Sequence, residues 1–160
     1  MALPSYFSLK GAKQGQIDGS CDIKGHEKKI LVQGHEHKID IPVSLQTGLA
    51  TGKRVHHPFL VRKSVDASSP KIQQALTTGE TITEALLEFT HIDKNGQEVV
   101  YFTKKIENAV VISVEHETQN ILDPDFTKYP TWEIVALTYG KITTTWKDGG
   151  IEAVDSWTGQ

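Results

Sequence analysis

Residues 51–80 read TGKRVHHPFLVRKSVDASSPKIQQALTTGE. In order they offer the end of a glycine-rich loop, a two-faced strand, an acidic turn and a short capped helix. Val55, His57, Phe59 and Val61 form the apolar-leaning side of the strand, against Arg54, His56 and Arg62; Leu60 interrupts the pattern. That period of two predicts a strand with one face more buried. Ser69 is placed to cap the helix, because its hydroxyl can accept from an unpaired backbone N–H. Pro70 suits the first helical position, where no N–H is needed. Ile72, Ala75 and Leu76 share a face, and Gly79 can end the helix in the left-handed region. At about ten residues, such a helix must lean on a sheet.

The same period runs through the flanking sequence. Ile39, Ile41 and Val43 oppose Lys38 and Asp40; Val110, Ile112 and Val114 oppose Val111, Ser113 and Glu115. Residues 82–92 and 97–104 are rich in β-branched and aromatic side chains. The Asn95-Gly96 pair between them signals a hairpin, since both residues tolerate positive φ. In residues 132–146 the phase changes at Gly140-Lys141, as in one strand bent by a bulge, two strands, or a strand buried on both faces. Many closely spaced strands with one helix predict a mainly β fold: a distorted antiparallel β-barrel of two packed sheets with one short flanking α-helix. No linker or internal repeat divides the chain, so residues 1–160 are expected to make one domain.

Composition narrows function. The 160 residues are 38% hydrophobic and 23% charged, as in a globular protein. A formal net charge of −3 argues against a general nucleic-acid binder. The doublets Lys28–Lys29 and Lys104–Lys105 read as solvated strand ends. Cys21 stands alone, which excludes an intramolecular disulfide and a cysteine zinc site and fits a reducing compartment. The N-terminal MALPSYFSLKG has neither a basic region nor a long apolar run, so no cleavable signal peptide is expected. No apolar run reaches the ~20 residues needed to cross a bilayer, so no membrane insertion is expected.

The polar residues form no catalytic motif. His35 and His37 share a strand face, whereas His56 and His57 point to opposite faces and cannot converge on one ion from a regular strand. His26-Glu27 and His35-Glu36 lack the second histidine of HExxH. Gly11-Ala12-Lys13-Gln14-Gly15 is not a phosphate loop, there is no GxSxG, and Asp123-Pro124-Asp125 lacks EF-hand spacing. Trp132, Trp146 and Trp157 fit core or interface packing. No catalytic residue, metal or cofactor is expected.

In sequence order, the segments resemble the Hcp family, the haemolysin-coregulated tube proteins of bacterial type VI secretion. The resemblance rests on Gly15, Ile17, Gly19, Ser20 and Cys21 followed by Lys24-Gly25-His26-Glu27. It continues through His37-Lys38-Ile39-Asp40-Ile41-Pro42, Thr47-Gly48 and Thr51-Gly52-Lys53-Arg54-Val55-His56. Asp66-Ala67-Ser68-Ser69-Pro70, Gln74-Ala75-Leu76-Thr77-Thr78-Gly79-Glu80, Glu107-Asn108-Ala109 and Tyr139-Gly140-Lys141-Ile142 with Trp146 complete it. Asp155-Ser156-Trp157 stands where relatives commonly carry two acids.

The resemblance implies a non-enzymatic inner-tube subunit. Such proteins form homohexameric rings that stack into a tube, inside a contractile sheath and behind a VgrG-type spike. The tube is assembled in the cytoplasm and expelled as a folded object, with effectors carried or chaperoned in the lumen. A phage-type tail tube protein is the related alternative, and a small β-barrel metal-dependent hydrolase using the histidines the unrelated one.

The loop Ser44–Lys53, SLQTGLATGK, is the most conspicuous insertion. Its glycines and threonines make it extended and adaptable, and Leu49 lies exposed at its tip unless something covers it. With the resemblance, contacts between subunits or rings are expected from residues 44–57, at Thr47, Gly48, Leu49, Thr51, Gly52, Lys53, Arg54 and His56.

Overall fold

The alternation of apolar and polar residues is realised as eleven strands, one α-helix and a short 3-10 helix (Pro124–Phe126) in a computed structural model that describes residues 2–157. The strands are β1 (Ser5–Gly11), β2 (Gly15–Ile17), β3 (Ile30–Glu36), β4 (Ile39–Asp40), β5 (Val55–His56) and β6 (Phe59–Ser64). After helix α1 (Ser69–Thr78) come β7 (Thr81–Ile92), β8 (Glu98–Glu117), β9 (Trp132–Thr138), β10 (Lys141–Trp146) and β11 (Ile151–Ser156). All pairings are antiparallel. The order β7–β1–β3–β6–β9–β8, closed by β8 against β7, makes a six-stranded barrel. Register shifts at Lys10/Gly11, Val32/Gly34, Phe89/Thr90 and Val111/Ser113 supply the local twist that closure requires.

The barrel interior is apolar. Phe7, Leu9, Ile30, Val32, Phe59, Val61, Leu87, Ile106, Val111, Val135 and Leu137 meet there, and Ile72 and Ala75 of α1 pack onto the same cluster. Gly19 permits the first loop to press against β3: a Cβ at this position would collide with the Lys29 carbonyl and come within 2.8 Å of Ile30 Cα.

The 20-residue β8 organises the rest. Asn108 has φ +51°, and the strand bends there. Before the bend, residues 102–107 pair with β10; after it, residues 110–117 pair with β9. The run 132–146 is therefore two strands laid end to end along β8, parting at Tyr139-Gly140, where the phase change occurs. β9 curls on to close the barrel with β6, while β10 and then β11 continue as an open sheet.

Several expectations are corrected in detail. The run Val55–Val61 is two strands in two sheets, because Pro58 interrupts it; in the first, His56 is buried and Val55 exposed, the reverse of the apolar reading. The bulge between Val111 and Ser113 shifts the phase, so Val111 is buried and Ile112 exposed. The hairpin after β7 is closed by Asp93 N–H donating to the Gln97 carbonyl at 2.8 Å, and only Gly96 takes positive φ (+76°). The helix cap position falls to Ser68, whose side chain makes no capping bond.

Ser69 is diverted because a buried charge needs it. Lys63, in phase with Phe59 and Val61, is 1% exposed. Its ammonium donates to the Ser64 carbonyl (3.0 Å), Asp66 Oδ1 (3.0 Å) and Ser69 Oγ (3.1 Å), using all three donors. It also lies 3.5 Å from Oε1 of Glu133, which is 0% exposed. Burial pushes the Asp66 carboxyl up, but the Ser68 hydrogen bond and the Lys63 ammonium outweigh it and hold the group below its usual range. This network ties the start of α1 to β6 and β9.

Candidate functional site

Residues 38–57 form an arm that departs from the barrel. β4 and β5 pair only with each other, Ile39 opposite His56 and Asp40 opposite Val55, and make its stem. Further out, Val43 bridges Ala50, and Thr51 N–H donates to the Pro42 carbonyl at 2.7 Å. The tip is a tight turn in which Gly48 N–H donates to the Ser44 carbonyl (2.8 Å) and Ser44 N–H to the Leu49 carbonyl (2.9 Å). Gly48 (φ +69°) and Gly52 (φ +81°) take backbone conformations that other residues resist.

The arm carries apolar side chains into solvent. Leu45 is 101% and Leu49 67% exposed, and Ile39, Ile41 and Val43 are exposed along one edge. Of the residues singled out from sequence, Thr47, Gly48, Leu49, Thr51, Gly52 and Lys53 are all on the arm's surface. Arg54 and His56 sit at its root and face the body of the protein. The Arg54 guanidinium grips Asp155 of β11 through Nε (2.6 Å to Oδ2) and Nη2 (2.8 Å to Oδ1). His56, 5% exposed, stacks on Trp157 with ring centres 4.9 Å apart. Trp157 in turn donates its indole N–H to the Tyr139 carbonyl at 2.6 Å.

A polar chain leads inward from Arg54. His56 Nε2 is 2.7 Å from Asp155 Oδ2, and its Nδ1 is 2.6 Å from the Tyr139 hydroxyl. That hydroxyl is also 2.7 Å from His37 Nε2, and Lys104 Nζ lies 3.5 Å from His37 Nδ1. Lys104 is thus half-buried behind the arm's root rather than a solvated strand end.

Burial, with smaller contributions from the Lys104 charge and from His35, His56 and His57, pushes His37 down to about 4. Burial does the same to His35, although its hydrogen bond to the Leu60 carbonyl opposes the shift. The Tyr139 phenol is raised by burial and by Asp155. Asp155 is held below the usual carboxylate range by Arg54, against a desolvation penalty, with help from His56.

As the alternation implies, His35 and His37 lie on one side, ring centres 6.3 Å apart, while His57 diverges from His56 and donates to Asp40 at 2.9 Å. Among the described residues, no group of three or more His, Cys, Asp or Glu side chains is placed to hold a metal ion. No helix among them is long and apolar enough to cross a membrane. That Tyr139, Lys104, His37 and Asp155 gather around Arg54 and His56 is what sequence reasoning missed. Each lies in a stretch that the sequence singled out for another reason, but nothing there joined them to the arm's root.

Closed barrel, open side sheet and projecting arm together define a β-barrel protein that displays an apolar appendage. Residues 6–146 match the family described as Type VI secretion system effector, Hcp. The "Major exported protein" of Pseudomonas aeruginosa is 34% identical, over 98% of this chain and 96% of its own length. Among solved structures, Hcp1 of the E. coli EAEC 042 pathovar is 40% identical with a TM-score of 0.87, covering 98% of this chain and 99% of its own. A crystal structure of an Hcp protein superposes with a TM-score of 0.92 at 26% identity, with the same coverage. The chain belongs to the Hcp family of type VI secretion proteins.

Proposed function

We propose that this chain is a non-enzymatic inner-tube subunit of a type VI secretion system, folded as one domain over residues 1–160. Homohexameric rings of it stack into a tube that is assembled in the bacterial cytoplasm and expelled with a VgrG-type spike by a contractile sheath. Effectors ride in the lumen. Family membership along the chain supports this role, as does the "exported" name of the Pseudomonas relative. One structural observation carries the assembly claim: the arm presents Leu45 and Leu49 fully or mostly to solvent on a stem built to hold them away from the barrel. An apolar tip maintained at that cost in solvation is suited to a surface on another copy. Thr47, Gly48, Leu49, Thr51, Gly52 and Lys53 lie in that contact, and Arg54 and His56 set the arm's direction from its root.

Native mass spectrometry and electron microscopy of the purified protein test this reading. Rings are expected, and a strict monomer over a wide concentration range would overturn it. Deleting residues 46–52 should leave the barrel's thermal transition in place and abolish ring stacking. Unchanged tube formation in that variant would remove the arm from the interface.

A further inference from the structure

Two apolar side chains stand outward on the barrel wall. Leu60 breaks the alternation of β6 and is only half-buried, and the bulge between Val111 and Ser113 leaves Ile112 45% exposed. They belong to one patch. Glu36 of β3 stands opposite Leu60 of β6, Leu60 opposite Ala136 of β9, and Ala136 opposite Ser113 of β8, with Ile112 beside it in the bulge. Residues directly opposite share a face, so one row crosses four neighbouring strands on the outside of the barrel. With Pro58 this row floors a groove of about 440 Å³ beside the arm's root, wide enough to admit a pair of leucine side chains.

The charges around the groove select its occupant. Lys38 (3.0 Å) and His57 (2.9 Å) are both paired to Asp40, and His37 is bonded to the Tyr139 hydroxyl. Glu36 is exposed and, among the described residues, its carboxylate has no partner. The groove therefore suits an uncharged apolar tip that brings a cation to its edge. Two exposed tips carry paired aliphatic residues: the arm with Leu45 and Leu49, and the loop after β8 with Ile121 and Leu122. Residues 44–52 of the arm hold no charged side chain, and Lys53 follows them, exposed and, among the described residues, unpaired. Ile121-Leu122 instead runs directly into Asp123 and Asp125, which would set like charges against Glu36, while Lys128 stands over the Tyr129 ring. The arm does not fill the groove of its own chain, since Leu45 is wholly in solvent.

We propose that the arm tip of one copy seats Leu45 and Leu49 over Leu60, Ile112 and Ala136 of a second copy, with Lys53 set against Glu36. Tip and groove are different patches of the same chain, so the contact is heterologous. Every copy gives one tip and receives another, and the contact repeats from copy to copy. Covering Leu60 and Ile112 in this way accounts for apolar side chains that the barrel itself leaves in water. The inference rests on the arm being the assembly element, and it names the surface which that element meets.

Cysteine cross-linking paired with native mass measurements separates the groove from the tube reading. In a Cys21→Ser background, Leu49→Cys combined with Ile112→Cys and oxidised with copper phenanthroline should give a ladder of covalent multimers on a non-reducing gel. Either new cysteine alone should give nothing beyond a dimer. Rings without a ladder would overturn the groove and leave the tube reading standing. A ladder from a protein that forms no rings would keep the groove and overturn the tube reading. Leu122→Cys combined with Ile112→Cys should remain uncross-linked; a ladder from that pair alone would give the groove to the other loop and overturn the proposal. Lys53→Glu and Glu36→Lys, both at exposed positions, should each weaken assembly about threefold to fivefold in a dilution series followed by light scattering. Together they should restore it, which a merely structural role of either residue would not produce. A double variant weaker than both single ones would overturn the seating.

Discussion

The barrel and the arm use apolar residues in opposite ways. In the barrel, Phe7, Phe59, Val61 and Leu137 are fully enclosed, and the hydrogen-bonded circuit of strands leaves the core complete within one chain. On the arm, Leu45 is wholly and Leu49 mostly in solvent; what holds the arm is a two-residue stem and a string of polar contacts at its root. Folding and display are thus supported by different forces at different places, so a substitution can damage one and spare the other.

The largest expected effect on folding comes from the buried ion pair. Lys63→Met leaves the fully buried Glu133 and the Asp66 carboxylate without their shared cation, and should lower stability by about 3–5 kcal/mol, read as a denaturant midpoint shift. An arm variant with an equal cost would contradict the division between the two regions.

Acid should act next in size. His35 and His37 have folded values near 4 against the ordinary 6.5, so below 6.5 the unfolded chain binds protons that the folded one does not. Their stabilising contribution is complete above pH 6.5 and is lost as pH falls towards 4. A loss of about 1–2 kcal/mol over that window is expected after allowing for their partial exposure to solvent. His37→Gln should flatten the profile; an unflattened one would move the linkage to other groups.

The smallest effect on folding belongs to the tip. Leu45→Ser with Leu49→Ser should change stability by less than about 0.5 kcal/mol, because one side chain is wholly and the other mostly in water. The same pair should produce the largest loss of assembly by light scattering. A stability loss comparable to that of a core substitution would show that the tip folds back on its own barrel.

Much of the barrel was legible in the sequence because its strands obey a local rule. Phe59 and Val61 alternate with polar neighbours, Asn95-Gly96 marks its hairpin, and Pro70 and Gly79 bracket α1. Closure was less visible, since it depends on β8 meeting both β7 and β9 across a bend at Asn108. The arm's exposed surface could be anticipated from Gly48, Gly52 and Leu49. Its root could not. Local hydrophobicity favours Val55 inward, but His56 has a partner for each ring nitrogen, Tyr139 and Asp155, 83 and 99 residues away. Satisfying a buried imidazole at both ends decided the phase of that short strand, and no spacing in the sequence announces such distant partners.

The single strand β8 also has a mechanical consequence. Its early residues are bonded to β7 and β10, its later ones to β9, so it runs as one unbroken rail from the open sheet into the barrel wall. A pull along that rail loads its ladder in shear, where many bonds share the force and must fail together. A pull at the free edge of β11 instead unzips one bond at a time. The molecule is therefore stiff along one axis and peelable along another.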